Sequence, residues 1–356
     1  MRDFFHTGLN VSRSDVAFAV NGVNKHLFVS SNLGRRGNDA KSKGQAVSTI
    51  QTAVEIANSP DNCLENIDIH ILGGQYVENV HFSREGSNLD YLAMLWAEGG
   101  KNAGRIGTIR LIAHGYVWLN TSVISQQPAI SICRPNIEIH DFMTIKIDPE
   151  VGGYPITAGN WTFANGDTNG HVKMPVIGIS DNFNNSDLLH GAANNVLISG
   201  CKINGGTGAG GILNDGGNWI RVENCKIEYY HDYGVAHIGS EKGHCAENLI
   251  YGCDFAGPQY SGAAVLHDNL VYSLIDRCIF RDPDGNSVLA LLSGGTVAIE
   301  CLISNCQVHD EADLVSAAPA SNIGFDAVNI TTVSGGGPGG NDDLAAGSWV
   351  DTDNFA

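Results

Sequence analysis

The stretch that decides the fold runs from Asn195 to Val308. It repeats one phrase five times: Asn195-Val-Leu-Ile-Ser-Gly-Cys-Lys-Ile203, Trp219-Ile-Arg-Val-Glu-Asn-Cys-Lys-Ile227, Asn248-Leu-Ile-Tyr-Gly-Cys-Asp-Phe255, Leu270-Val-Tyr-Ser-Leu-Ile-Asp-Arg-Cys-Ile-Phe280 and Val297-Ala-Ile-Glu-Cys-Leu-Ile-Ser-Asn-Cys-Gln-Val308. The anchoring residues Cys201, Cys225, Cys253, Cys278 and Cys306 are 24, 28, 25 and 28 residues apart. A period of this size marks a solenoid. Apolar and polar residues alternate within each copy, which is the strand period and not the helix period. A small polar residue or glycine precedes most of the cysteines, where a bend is expected.

A second short strand precedes each phrase: Pro175–Ser180, Gly211–Leu213, Gly234–Ile238, Gly262–Leu266 and Ser287–Leu292. Two or three strands per coil, joined by Gly, Asn and Asp turns, describe a parallel β-helix. Its coils stack about 4.8 Å apart, and each covers its neighbour's apolar face. The five cysteines then form an internal ladder of free thiols, packed as small hydrophobes. Cys63, Cys133, Cys245 and Cys301 lack paired metal spacing.

Working outward, Ile67–Tyr76, Thr108–Ile112, Ala129–Cys133 and Asn136–Ile145 read as earlier coils, the last with Phe142 at the cysteine position. Before them, Ser48-Thr-Ile-Gln51 fits a capping box. Ile50, Ala53, Val54 and Ala57 then share one helix face. Such a helix covers the open end of the first coil, which would otherwise expose apolar side chains and strand edges. The predicted organisation is an arm over 1–25, a β-helix over 26–332 with a cap helix near 48–58, and a Gly-rich tail over 333–356. Phe4, Phe5, Trp349 and Phe355 are spaced as assembly anchors in the two ends.

The chain resembles the right-handed parallel β-helix, or pectin-lyase-like, superfamily. The resemblance rests on the repeated cysteine phrases, the cap helix and the Gly74-Gln-Tyr76 turn, and covers roughly Lys25 to Thr332. It implies an all-β fold with a single right-handed solenoid. The superfamily includes polysaccharide lyases, glycoside hydrolases, and bacteriophage tailspikes and virion spikes, so fold alone does not choose a function. The motifs of polygalacturonases and pectate lyases are largely missing: Gly243-His-Cys245 breaks one, and Arg134-Pro135 does not complete another.

The net charge of −18 and the absence of a basic stripe argue against nucleic acid. The start, Met1-Arg-Asp-Phe-Phe-His6, has no signal-peptide core, and no apolar run has the length of a membrane span. With free thiols, these features lead to the expectation of cytoplasmic synthesis and a place in a virion. The expected partners are further copies of the chain, as a trimer, other virion proteins, and host polysaccharide. No cofactor and no metal is expected. The rival expectation is a lyase or hydrolase.

Two edges carry the candidate residues. After the first strand of each coil come Asp215, Glu241, His244, His267 and Asp268. Equivalent places on adjacent coils are about 5 Å apart, and two coils apart about 10 Å, which brackets the carboxylate pairs of glycosidases. Asp and Asn also dominate turns for backbone reasons. On the other edge, Tyr229, Tyr230, Tyr233 and Tyr260, with Trp161 in an insertion, could stack on sugars or form a subunit contact.

Overall fold

The computed structural model describes residues 24–59, 61–82, 107–122, 128–148, 174–180, 193–206, 209–238, 245–256, 262–268, 270–271, 273–281, 289–291, 301–309, 315–316, 323–328, 331–333 and 348–350. They wind into a right-handed parallel β-helix with three faces per coil. The first face stacks Lys25–Val29, the first half of Ile67–Val77 and of Ile109–Ser122, then Ile137–His140, Val196–Ser199, Ile220–Glu223, Leu249–Tyr251, Leu274–Asp276, Cys301–Ser304, Ile323–Val328 and Ser348–Val350. The second face runs from the latter halves of the two long strands through Thr144–Asp148, Lys202–Asn204, Lys226–Glu228, Asp254–Ala256, Ile279–Arg281 and Gln307–His309 to Thr331–Val333. The third is a separate eight-stranded sheet from Val80–Phe82 to Val315–Ser316. All the pairings are parallel and nearly all keep an unbroken register.

Inward positions build columns of like residues. Leu27, Ile69, Leu111, Ile139, Ile198, Val222, Ile250, Ile275 and Ile303 lie in register on the first face, all buried. On the second face Tyr76, Leu119, Ile145, Ile203, Ile227, Phe255 and Phe280 do the same, and the last two rings stack at 5.0 Å. β-Branched residues suit this arrangement because each packs flat on the one below.

The bend between these faces explains the repeated phrase. Asp141, Gly200, Asn224, Gly252, Arg277 and Asn305 all have positive φ, between 51° and 66°. Only Gly, Asn and Asp enter that region cheaply, so Arg277 is the costly member. The residue after each bend turns inward. Cys201, Cys225, Cys253, Cys278 and Cys306 are buried free thiols, as expected, and Phe142 takes their place one coil earlier. Each Sγ lies 3.2–3.5 Å from the carbonyl two residues before it. Burial, reinforced by the hydrogen bond to Cys225, pushes the Cys201 thiol up, so it stays protonated and unreactive. Cys63 and Cys133 are buried and take part in no disulfide; the side chains of Cys245 and Cys301 lie outside the described residues.

The helix α1 spans Ile50–Ala57 and buries Ile50, Ala53, Val54 and Ala57 against the first coils. Its N-cap is Thr49, one residue later than the capping box predicts, with Thr49 Oγ1 accepting from Thr52 N. The remaining N-terminal donors are met from a distance: the Glu78 carboxylate accepts from Ile50 N and Gln51 N, both at 2.9 Å. The tail also departs from expectation. Ser348–Val350 pairs with Ile323–Phe325, so Trp349 belongs to the last rung of the first face. A strand edge with free N–H and C=O groups recruits any extended segment within reach. Phe4, Phe5 and Phe355 lie outside the described residues.

Candidate functional site

The third face places the expected catalytic column. Register aligns Asn214, His237 and His267, and beside them Asp215, Ile238 and Asp268. Asp215 and Asp268 are therefore two coils apart, about 10 Å by strand spacing. Glu241 and His244 lie outside the described residues, as do the side chains of His267 and Asp268. Asp215 itself is 4% exposed, and Asn214 and His237 are fully enclosed. This corrects the expectation of an open polar edge at Asp215. The register puts Asn214 and His237 on the inward side, in line with Ile212 and Val235. There the Asn214 amide replaces apolar packing with hydrogen bonds: Oδ1 accepts from Gly217 N at 2.9 Å, and Nδ2 donates to Gly217 O at 2.9 Å and faces His237 Nδ1 at 3.0 Å. Burial pulls His237 down to about 3, so its ring is neutral.

The tyrosine row is also corrected. Tyr229 is exposed, but Tyr230 and Tyr233 are buried. Tyr229 sits in a left-handed turn with φ 52°, which rolls the next side chain inward. Tyr233 fills the space left by Gly210, where a Cβ would fall 2.2 Å from its Cζ. Burial pushes the Tyr230 hydroxyl well up. Tyr260 and Trp161 lie outside the described residues. Among the described residues, a cluster of exposed large apolar side chains lies instead on the early coils. Trp118 pairs with Gln75 on one side and Thr144 on the other, and Val77, Tyr116 and Met143 are exposed around it.

The outward second face carries ion-pair columns. Glu228 lies between Lys202 at 2.6 Å and Lys226 at 2.9 Å. Burial raises its carboxyl, but the two ammonium groups outweigh that and hold it below the usual range. Asp254 pairs with Arg281 at 2.8 Å.

One cluster escapes a sequence reading built on the cysteine period. His26, His70 and His114, each 44 residues from the next, stand on three successive first-face strands with ring centroids 5.1 Å apart. His26 Nδ1 is 3.0 Å from His70 Nε2, and His70 Nδ1 is 2.8 Å from His114 Nε2. Asp68 Oδ2 lies 3.6 Å from His26 Nδ1, while Arg110 Nε holds Oδ1 at 2.6 Å. Ligand atoms of His26, Asp68 and His70 all lie within 4.8 Å of one another. Burial, then the neighbouring His114 and His26, hold His70 below the usual imidazole range against the pull of Asp68. The equal spacing was the available signal: one coil here is 42 residues, from Lys25 to Ile67 to Ile109, and each histidine lies two residues beyond the register partner of the one before.

Stacked parallel strands, inward columns and bent corners define a right-handed parallel β-helix. Residues 210–337 match the family model described as "Right handed beta helix region". Among solved structures the chain is similar to the pectin methylesterase from Aspergillus niger, with 12% identity, a TM-score of 0.51, and 92% of this chain and 90% of that one covered. The pectin methylesterase from carrot gives 10% identity and a TM-score of 0.52 over 92% of this chain and 88% of its own. The alginate lyase from Paenibacillus sp. gives 12% and 0.50 over 88% and 98%. At these identities the likeness is one of fold alone. No curated protein matches the chain.

Proposed function

We propose that the chain is a non-catalytic structural component of a bacteriophage particle: a spike, head-decoration or tail protein that works as a homotrimer, with other virion proteins as partners and host glycan as a ligand. The observation that carries this reading is the state of four described carboxylates. Glu228 and Asp254 are tied to lysine and arginine, Glu78 caps α1, and Asp215 is enclosed. A glycosidase needs one carboxyl poised to give a proton and another facing the sugar, and groups committed to ion pairs serve neither role. Buried free thiols fit assembly in a reducing cytoplasm. The exposed face around Trp118, Tyr116 and Met143 suits stacking on a sugar ring or a partner better than the buried tyrosines do.

Mass spectrometry of particles purified from the host that encodes the chain tests the virion assignment directly. Absence from intact particles, or efficient release of oligosaccharides from acidic polysaccharide, would reverse it. The second reading, a lyase or hydrolase, is favoured by one observation: Asp215 and Asp268 share a register on one edge, with His267 next to Asp268. It requires turnover that disappears in Asp268→Asn.

A further inference from the structure

We infer that His26, Asp68 and His70 form a binding site for one zinc ion, on the outer first face at the N-terminal end of the solenoid. The geometry is that of a ligand set. Zinc bonds of about 2.0–2.1 Å in a tetrahedron place neighbouring donors about 3.3 Å apart. The observed 3.0 Å between His26 Nδ1 and His70 Nε2, and 3.6 Å between His26 Nδ1 and Asp68 Oδ2, bracket that edge. Two imidazoles and one carboxylate leave a fourth position for water, and His26 faces solvent. Two nitrogen donors out of three select a zinc-like ion over calcium or magnesium, which take oxygen ligands.

The surroundings are those of a metal site. A ligating histidine holds its other ring nitrogen on a fixed partner, and His70 Nδ1 meets His114 Nε2 at 2.8 Å. Asp68 is itself oriented: Arg110 Nε grips Oδ1 at 2.6 Å and Asn24 Nδ2 reaches Oδ2 at 3.2 Å. Phe28 stacks on the His70 ring at 5.1 Å and fixes its plane. A metal ion placed among His26 Nδ1, His70 Nε2 and Asp68 Oδ2, which lie within 4.8 Å of one another, would accept a lone pair from each of the three groups. The net charge of −18 concentrates cations around the molecule, while the nearby Arg110 limits the affinity.

The site would tie residue 26 to residues 68 and 70, that is, the first coil to the second. Zinc added to the full chain should bind at one ion per chain in competition with a chromogenic chelator. It should raise the thermal unfolding midpoint, because an ion bound only by the folded state stabilises it. Cobalt in its place should give the intense visible bands of a four-coordinate ion. His26→Ala, a change at an exposed side chain, should abolish both binding and the midpoint shift while leaving the far-ultraviolet circular dichroism intact. His114→Ala, which removes only the outer partner, should weaken binding about 10- to 100-fold. His140→Ala, at a histidine paired with Glu138 elsewhere on the face, should change neither. Absence of saturable binding by the parent protein overturns the inference. So does binding of equal strength in His26→Ala.

Discussion

His237 makes the β-helix acid-sensitive by a calculable amount. Its ring is 1% exposed, and burial lowers its proton affinity from an ordinary value of 6.5 to about 3. Asn214 reinforces the neutral form, because the amide that faces Nδ1 is a donor and already committed to Gly217. A proton on Nδ1 would set two N–H groups against each other. The unfolded chain takes up that proton as the pH falls below 6.5, whereas the folded chain does not until near 3. Stability from this group is therefore full above pH 6.5 and declines through the window between the two values. At about 1.36 kcal/mol per unit, the loss is about 2 kcal/mol by pH 5 and at most about 5 kcal/mol by pH 3. His237→Gln keeps a polar side chain of similar reach that does not titrate. Urea unfolding of both proteins, followed by circular dichroism at about pH 7.5 and about pH 5, isolates the histidine, because the rest of the titration cancels in the difference. The parent should lose about 2 kcal/mol more than the variant. Parallel losses in the two proteins would refute a buried neutral His237.

Three further outcomes follow from the columns. Cys253→Ser puts a hydroxyl where Sγ touches the carbonyls of Val222 and Tyr251 at 3.4 and 3.5 Å; the shorter C–O bond strains those contacts, and calorimetry should show a loss on the order of 1–3 kcal/mol. Arg134 is buried and donates to Asn58 Oδ1 and Gly107 O, joining the end of α1 to the second coil. Arg134→Met should cost about 3 kcal/mol by leaving those acceptors unmet, read as a lower urea midpoint. Deleting residues 335–356 removes the rung Ser348–Val350 and bares the edge of Ile323–Phe325. The remaining coils should stay folded, because each is stabilised by its neighbours, but the truncated protein should self-associate in sedimentation, and a monodisperse truncated monomer would count against the edge argument.

The solenoid was legible because its determinants are local and periodic. The left-handed corner demands Gly, Asn or Asp, and the next position demands a small apolar group, so Gly200-Cys201, Asn224-Cys225 and Gly252-Cys253 announce themselves. The tyrosine edge was not legible. Tyr229 and Tyr230 are consecutive, and only the 52° turn at the first decides which of them faces the core. Asp215 failed for a related reason. Its neighbour Asn214 reads as a turn residue, yet it hydrogen-bonds inside the coil, and burial at the end of that strand depends on contacts distant in sequence. The histidine column failed because the early coils are 42 residues long, whereas the repeats that reveal the fold are 24–28.

A site on a β-helix is a column, assembled from residues that lie in register or two residues off it on neighbouring coils, whatever their separation along the chain. Two columns here have the same construction and opposite chemistry. Lys202, Lys226 and Glu228 mix cation and anion across adjacent strands and satisfy one another, so that column ends in itself. His26, His70 and His114 repeat one ligand type across adjacent strands and terminate on the carboxylate of Asp68. Each neutral ring offers one N–H and one lone pair, so the row passes its protons along in one direction, while Asn24 and Arg110 serve the Asp68 carboxylate. What sets the histidine column apart is its ligand atoms: His26 Nδ1, His70 Nε2 and an Asp68 oxygen lie within 4.8 Å of one another. The lysine–glutamate column offers no such set, because two of its three groups are cations.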